Sequence, residues 1–196
     1  MKTRFTLITI LILLMTFSDL KAQETKLGGI RAGWQNSVLA SSGKVDDNVD
    51  PLSAFYVGLF RENKIIPLLA IGTGLEYSQM GVKDKTLDDT QIRLHYLCIP
   101  IDLRVKVGPV FAKAGFSANF RVGEKVTVLG TDITDTELWT KSEVFDIPFY
   151  LGAGVDILIF RIEARYHWGL LDVYKQTADN NAQQLQYFQL GVGVMF

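Results

Sequence analysis

Two histidines are the residues of this 196-residue chain best suited to catalysis. General acid–base and nucleophilic mechanisms need a histidine held beside a serine, a cysteine or a carboxylate. No serine or aspartate stands at a suggestive spacing from His95 or His167, and His167 continues the charged alternation of Glu163 and Arg165. We therefore predict no catalytic residues, and an enzyme is the weakest of the functions considered below.

Neither a cofactor nor a metal ion is predicted from the remaining motifs. Three GxG pairs lack the third glycine and the strand-to-helix turn of a nucleotide site: Gly72/Gly74, Gly152/Gly154 and Gly191/Gly193. Small residues where strands curve explain them better. Acidic residues occur in three groups without the spacing of a calcium loop: Asp46, Asp47 and Asp50; Asp84, Asp88 and Asp89; Asp132, Asp135 and Glu137. A formal net charge of −1, without clustered Lys and Arg, argues against nucleic acid as a partner.

The first 22 residues have the parts of a secretory signal peptide. Lys2 and Arg4 precede an apolar stretch at 5–17, and Ala22 provides a small residue for cleavage. The stretch is too short for a transmembrane helix, which needs about 20 residues. We therefore predict a signal peptide at 1–22 and one exported domain at 23–196. Cys98 is the only cysteine, so this domain has no internal disulfide.

The rest of the chain alternates between apolar and polar residues with period two, the pattern of β-strands. Eight such segments can be traced, at 29–35, 52–61, 68–77, 95–107, 110–122, 145–157, 160–170 and 184–196. Their lengths approach the 9–11 or so residues that a tilted membrane strand needs. A soluble sandwich or lipocalin-like barrel is the alternative, but sandwich strands are usually about 5–6 residues long. The second segment is consistent with either register.

Short and long connections alternate along the chain. The predicted short ones lie at 61–64, 108–109 and 157–159, and the long polar ones at 40–51, 81–91, 123–142 and 172–183. Outer-membrane barrels have short periplasmic turns and longer external loops. The last segment ends on Phe196, which resembles the C-terminal signal of such barrels. We predict an all-β fold, an eight-stranded antiparallel up-and-down transmembrane β-barrel, in the outer membrane of a Gram-negative bacterium.

The polar faces of these strands must then line the lumen. They carry charges of both signs: Arg31, Glu76, Asp102, Arg104, Lys106, Lys113, Arg121, Asp146, Asp156, Arg161, Glu163 and Arg165. An eight-stranded barrel is only wide enough to be filled by side chains or to hold one small ligand. Because opposite charges packed there must pair, we predict a lumen charge network that closes the barrel. A small-solute channel is the alternative.

Aromatic residues fall at the two ends of the predicted strands. The predicted membrane girdle contains Trp34, Tyr77, Phe120, Phe145, Trp168 and Phe188 toward the external end, and Phe160 and Phe196 at the periplasmic end. Amphipathic rings favour the membrane–water interface. For any single residue, an ordinary core aromatic at a strand end is the other interpretation.

Four stretches of the sequence form recognisable motifs. They are Leu94–Ile101 followed by Gly108–Pro109, then Leu75–Gly81, Asp146 with Gly152–Gly154, and Glu163–Tyr166. Together they resemble the PorT-like outer-membrane β-barrel domain, a small barrel of the OmpA/OmpX type. The resemblance covers nearly all of 23–196. It implies the eight-stranded fold and the outer membrane, but no activity.

We therefore expect an integral outer-membrane protein with a structural or partner-binding role and no enzymatic activity. A small-solute channel and, less favoured, a lipid-acting outer-membrane enzyme are the alternatives. The expected partners are outer-membrane lipid and lipopolysaccharide, the barrel-assembly machinery through the C-terminal strand, and an unidentified protein that meets the loops or turns. No cofactor is expected.

Overall fold

The computed structural model describes residues 26–41, 44–45, 49–84, 91–128, 131–133, 144–172 and 183–196. Eight long strands account for most of them: β1 Lys26–Ser41, β2 Val49–Ile66, β3 Leu69–Asp84, β4 Gln91–Val107, β5 Val110–Val128, β6 Phe149–Ile157, β7 Phe160–Asp172 and β8 Gln183–Met195. Lys44–Val45, Thr131–Ile133 and Phe145–Asp146 form three short strands beside them. Among these residues no helix is long and apolar enough to cross a bilayer. The predicted signal peptide at 1–22 lies outside the described residues.

Each long strand pairs antiparallel with its neighbours in the chain, and the last strand returns to pair with the first. The closing ladder aligns β1 with β8 from Gly29↔Met195 to Ser41↔Gln183. A closed ladder leaves no strand edge unpaired, so all eight strands can lie in hydrocarbon. The predicted eight-stranded antiparallel up-and-down barrel is confirmed.

Three tight turns join strands at one end of the barrel: Pro67–Leu68, Gly108–Pro109 and Leu158–Ile159. Two of them agree with the predicted short connections. The predicted turn at 61–64 is wrong, because these residues continue β2 and pair with β3. A run of polar residues is typical of a turn, but in a barrel a polar side chain within a strand can point into the lumen.

The opposite end carries the longer connections, and there the strands extend further than the sequence predicts. Residues 49–51, 81–84 and 123–128, predicted in loops, belong to β2, β3 and β5. Pairing continues as far as Gln91↔Thr127. Hairpin neighbours can still satisfy each other's backbone N–H and C=O groups beyond the bilayer, so the ladder has no reason to stop at the membrane surface.

Side chains alternate between the lumen and the outer surface along every strand. The outward face of β4 is apolar from Leu97 to Val107, and Ile101 is 56% exposed. At about 3.3 Å per residue and a tilt of about 40°, this stretch is about 25 Å high, which matches the apolar band of outer-membrane barrels. In β2, whose register the sequence leaves open, Tyr56 and Phe60 face inward.

Glycines let large inward rings lie against the barrel wall. A Cβ at Gly33 would overlap the carbonyl oxygen of Leu190 and the Cα of Gly191, and it would press on the Tyr56 ring. A Cβ at Gly28 would make only ordinary contacts, the nearest at 3.8 Å. Large inward side chains therefore pack in the narrow lumen against glycines of the barrel wall.

We expect Gly33→Ala to lower the free energy of unfolding by about 1–3 kcal/mol, the usual cost of overpacking. The main-chain atoms of β8 cannot move aside as a flexible side chain would. Gly28→Ala is the matched control and should change the stability by less than about 0.5 kcal/mol. Denaturant unfolding in lipid vesicles, followed by gel mobility, measures both variants. Equal stability of the two would contradict the packing described for Gly33.

Candidate functional site

The lumen nearest the tight turns is filled by an ion-pair cluster, here named the turn-side cluster. It contains Glu62, Asp102, Arg104, Lys106, Asp156 and Arg161. Glu62 lies at its centre, and its carboxylate accepts hydrogen bonds from Arg104 (2.8 Å), Arg161 (2.9 Å) and Lys106 (3.1 Å). Asp156 also accepts from Arg161 at 2.6 Å and from Lys106 at 2.7 Å. Three acidic and three basic groups leave this cluster formally neutral.

Glu62 is the member of this cluster that the sequence analysis misses. Its strand had no decided register, and the residue itself fell within a predicted turn. One signal could have found it: the twelve predicted lumen charges comprise seven cations and only five carboxylates. Since buried charges must be paired, that excess of cations required a further inward carboxylate.

A second group, here named the central cluster, crosses the middle of the lumen. It contains Arg31, Glu76, Lys113, Glu163 and Arg165, contributed by β1, β3, β5 and β7. Glu163 lies 2.7 Å from Lys113, 3.1 Å from Arg31 and 3.4 Å from Arg165. Arg165 and Arg31 both reach Glu76 as well, Arg165 at 3.0 Å. All five side chains are buried. All of the pairs except Arg165–Glu163 join strands that are not neighbours, and Arg165 with Glu76 links β7 to β3 on the opposite wall of the barrel.

Aromatic rings fill the space between the ion pairs. The guanidinium carbons of Arg104 and Arg161 lie 4.7 and 4.8 Å from the centre of the Phe111 ring. Such cation–π contacts are worth about 2 kcal/mol when desolvated. Tyr150 contacts both clusters, because its hydroxyl donates to Asp102 at 2.9 Å and the Lys113 ammonium lies 6.0 Å from the centre of its ring. Aromatic rings therefore contact charged side chains of both clusters.

Toward the loops the two ion-pair clusters end, and a layer of uncharged polar side chains follows. Gln35 accepts hydrogen bonds from Ser78 at 2.7 Å and from Gln189 at 2.9 Å. Beyond this polar layer lies a buried group, here named the loop-side cluster: Met80, Val82, Leu94, Tyr96, Cys98, Leu185 and Tyr187. The two ends of the lumen are therefore filled by different chemistry.

The two histidines lie on opposite sides of the barrel wall. His167 is buried in the lumen, and its ring stacks on Tyr150 at 4.7 Å and on Tyr187 at 4.1 Å. His95 faces outward, and its Nδ1 lies 2.5 Å from the Tyr77 hydroxyl. Neither ring is hydrogen-bonded to a described serine or carboxylate, and within the described ranges no three His, Cys, Asp or Glu residues are grouped as metal ligands would be. Cys98 is a buried free thiol among apolar neighbours.

Ten of the twelve predicted lumen charges lie in the two ion-pair clusters. Arg121 instead pairs with Glu124 near the loop end. Asp146 is buried opposite Asn119, where it has no ion pair to any residue in the described part of the chain. The structure therefore brings together the predicted charges of the middle and the turn side, but not these two.

Outward aromatic residues form a band toward the loop end, here named the aromatic band. It contains the predicted Trp34, Tyr77, Phe120, Phe145, Trp168 and Phe188, together with Phe55, Phe149 and Tyr166, which are absent from the predicted set. Ring contacts join neighbours across the strands, such as Phe120–Phe145 at 5.1 Å and Trp34–Phe188 at 6.3 Å. Phe160 and Phe196 lie at the turn end and are 53% and 78% exposed.

The sequence at 22–175 matches the family described as the outer membrane protein beta-barrel domain. The chain belongs to this family. It is therefore a bacterial outer-membrane protein, as the alternation and the aromatic residues predict. In outer-membrane barrels the short turns are periplasmic and the long loops are external, which sets the turn-side cluster toward the periplasm.

Solved outer-membrane barrels have the same fold. Neisserial surface protein A is 15% identical, with a TM-score of 0.57 over 88% of this chain and 100% of that one. Ail, the attachment invasion locus protein of Yersinia pestis, solved with the heparin analogue sucrose octasulfate, is 15% identical, with a TM-score of 0.54 over 87% of this chain and 99% of that one. A search of curated protein sequences finds no match. At such low identity these structures show the fold alone.

Glu163→Gln is expected to lower the free energy of unfolding by about 3–5 kcal/mol, because it leaves three buried cations facing an uncharged amide. Glu124→Gln is the matched control. It makes the same change in the exposed pair with Arg121 and should cost less than about 1 kcal/mol. Denaturant unfolding of the refolded barrels measures both. Adding Lys113→Met to Glu163→Gln should recover part of the loss, and no difference between Glu163→Gln and Glu124→Gln would disprove the role given to Glu163.

Proposed function

We propose that this outer-membrane barrel has a closed lumen that does not conduct, and that its role is structural or depends on a binding partner. The observation that supports this most strongly is the central cluster, whose ion pairs join β1, β3, β5 and β7 across the lumen. Breaking a buried ion pair typically costs about 3–5 kcal/mol. An ion passing through the barrel would have to displace several such pairs.

The loop-side cluster adds a second obstacle of a different kind. Met80, Leu94 and Leu185 are at most 2% exposed and fill the lumen beneath the external end. Apolar constrictions oppose ion passage because they exclude water. Closure therefore does not depend on the charges alone.

Partners would therefore contact surfaces of the barrel outside the lumen. Lipid and lipopolysaccharide would contact the aromatic band. The barrel-assembly machinery would recognise β8, whose outward Leu190 and Val192 are 47% and 60% exposed and whose final neighbour Phe196 is 78% exposed. A protein partner would meet the external loops or the periplasmic turns.

The PorT-like assignment within the family belongs to the same proposal. Its support is the place of the motif in the barrel: Leu94–Ile101 supplies both the loop-side cluster and the lipid-facing surface of β4, and Gly108–Pro109 forms the tight turn that follows. Export through a signal peptide at 1–22, with 23–196 as the mature barrel, completes the proposal.

Conductance in a planar bilayer tests the closed lumen. The wild-type barrel should show no current steps. Glu62→Ala, Arg104→Ala, Glu76→Ala and Arg165→Ala together open only the two ion-pair clusters, and Leu94→Ala with Leu185→Ala opens only the loop-side cluster. Each set alone should stay silent, because the other obstacle remains. All six substitutions together should give steady conductance.

A heat-modifiable gel shift verifies that each of these variants is folded before it is recorded. Leu59→Ala with Leu103→Ala, which changes outward side chains of β2 and β4, is the matched control and should remain silent. Steady wild-type conductance would overturn the closed lumen and favour a small-solute channel. A folded but silent sixfold variant would show that these clusters are not what closes the barrel.

A further inference from the structure

One buried carboxylate of the lumen belongs to none of the three clusters. Asp146 lies just before β6, opposite Asn119 of β5, and is only 6% exposed. Neither of its carboxylate oxygens has a hydrogen-bond partner in the described part of the chain. The Ile147 and Leu171 backbone amides lie near it but do not reach hydrogen-bond geometry. Since buried polar groups are nearly always hydrogen-bonded, this carboxylate requires an explanation.

The inward cations of the neighbouring strands are engaged with other carboxylates. The next inward residue beyond Asn119 on β5 is Arg121, which pairs with Glu124. On β7 the inward cation closest along the strand is Arg165, which belongs to the central cluster. Within the described ranges, the Asp146 carboxylate therefore has no ion pair.

Protonation alone would not satisfy Asp146. A neutral carboxyl group must donate its own O–H, and no described acceptor lies within hydrogen-bond distance of either oxygen. Directly paired residues on neighbouring strands have Cβ atoms about 5 Å apart. The Asn119 amide therefore lies beside the carboxylate without contacting it, and a group bound between the two side chains would reach both.

The side chains around Asp146 offer further oxygen acceptors. The Asn119 side-chain oxygen accepts from the Ser117 hydroxyl at 2.6 Å, and the Asn119 amide nitrogen donates to the Tyr187 hydroxyl at 3.2 Å. A carbonyl or hydroxyl oxygen has two lone pairs, so each of these oxygens can accept a second hydrogen bond. Asp146, Asn119 and Tyr187 are named the acceptor site below.

A second buried side chain next to Tyr187 also lacks partners. His167 is 2% exposed, and its ring lies between those of Tyr150 and Tyr187. Neither ring nitrogen has a hydrogen-bond partner among the described residues, because Gln189 lies near the ring without reaching hydrogen-bond geometry. Two unpartnered groups in one part of the lumen indicate that a bound molecule completes their contacts.

We propose that the acceptor site binds the ammonium group of a small primary amine. One positive charge balances the single carboxylate, and three N–H donors match the carboxylate and the two neighbouring oxygens. A divalent metal ion needs several anionic or imidazole ligands, and the described residues contain no such group.

The amine would enter from the external side of the barrel. Val144, two residues before Asp146, is 58% exposed, so the carboxylate lies just below the end of the described wall at this position. On β4 and β5 the ladder continues much farther out, to Gln91↔Thr127. The acceptor site does not depend on whether the lumen conducts.

Stabilisation of the refolded barrel by added amine tests the site. The probes are methylammonium, tetramethylammonium, potassium and magnesium chlorides, compared at equal ionic strength in a zwitterionic detergent. The readout is the salt concentration that half-saturates the rise in the urea unfolding midpoint. Methylammonium should raise the midpoint saturably. Tetramethylammonium has the same charge but no N–H donor, and it should have no such effect, nor should potassium or magnesium.

Three variants locate the response. Asp146→Asn keeps the shape of the side chain but removes its charge, and it should need about tenfold more methylammonium or more. Tyr187→Phe removes one acceptor and should need about fivefold more. Glu124→Gln is the matched control, because it removes a carboxylate at the same end of the barrel, and it should respond as the wild type does. The heat-modifiable gel shift verifies that each variant is folded.

An equal response of Asp146→Asn and Glu124→Gln would overturn the proposal. If Asp146→Asn does not fold, Tyr187→Phe decides, and a response equal to that of the wild type would overturn it. An unresponsive wild type would do the same, leaving Asp146 to a water molecule or a proton. Equal stabilisation by tetramethylammonium or potassium would show a general salt effect, and a response to magnesium that Asp146→Asn abolishes would make this a metal site.

Discussion

Closure of the hydrogen-bond ladder between β1 and β8 is the constraint on which the other features depend. An unpaired backbone group in hydrocarbon costs several kcal/mol, so the sheet cannot keep an open edge. The closure continues to the last residue, since Gly28 donates to the Phe196 carbonyl at 3.1 Å and Phe196 donates back at 2.8 Å. Eight strands then fix a narrow lumen that side chains must fill. Glycines opposite large rings, such as Gly33 opposite Tyr56, are the local consequence.

Filling the lumen with charge also fixes which face of each strand points inward. A slip of one residue exchanges the two faces of a strand. Arg165, in the middle of its strand, would then contact acyl chains, where a cation at mid-bilayer costs about 2–4 kcal/mol. A strand face without charges pays no such cost when it turns toward lipid. In β2 the adjacent residues Phe55 and Tyr56 lie on opposite faces, and both side chains suit either the lumen or the lipid. Glu62, near the end of that strand, is the residue that removes the ambiguity.

The faces of β4 to β7 could be predicted because each strand alternates between lipid-compatible and charged residues over many positions. The face of β2 could not, because its charged residue lay in a polar run typical of a turn. The individual ion pairs also could not be predicted from the sequence. Most of them join strands that are not neighbours, such as Lys113 of β5 with Glu163 of β7, or Glu62 of β2 with Arg104 of β4. Such contacts depend on strand tilt and stagger, which no single strand encodes.

The ion-pair clusters and the loop-side cluster tolerate substitutions differently. This difference affects which surfaces of the barrel can evolve a binding site. In the ion-pair clusters each charge has partners on other strands, so one substitution leaves several groups uncompensated. In the loop-side cluster a substitution must preserve the volume of the side chain, but there is no hydrogen bond or ion pair whose direction it must keep. Neither region can acquire a ligand without first losing some of this packing. The outward surface has no such limit, because lipid and water adapt to whatever side chain is presented.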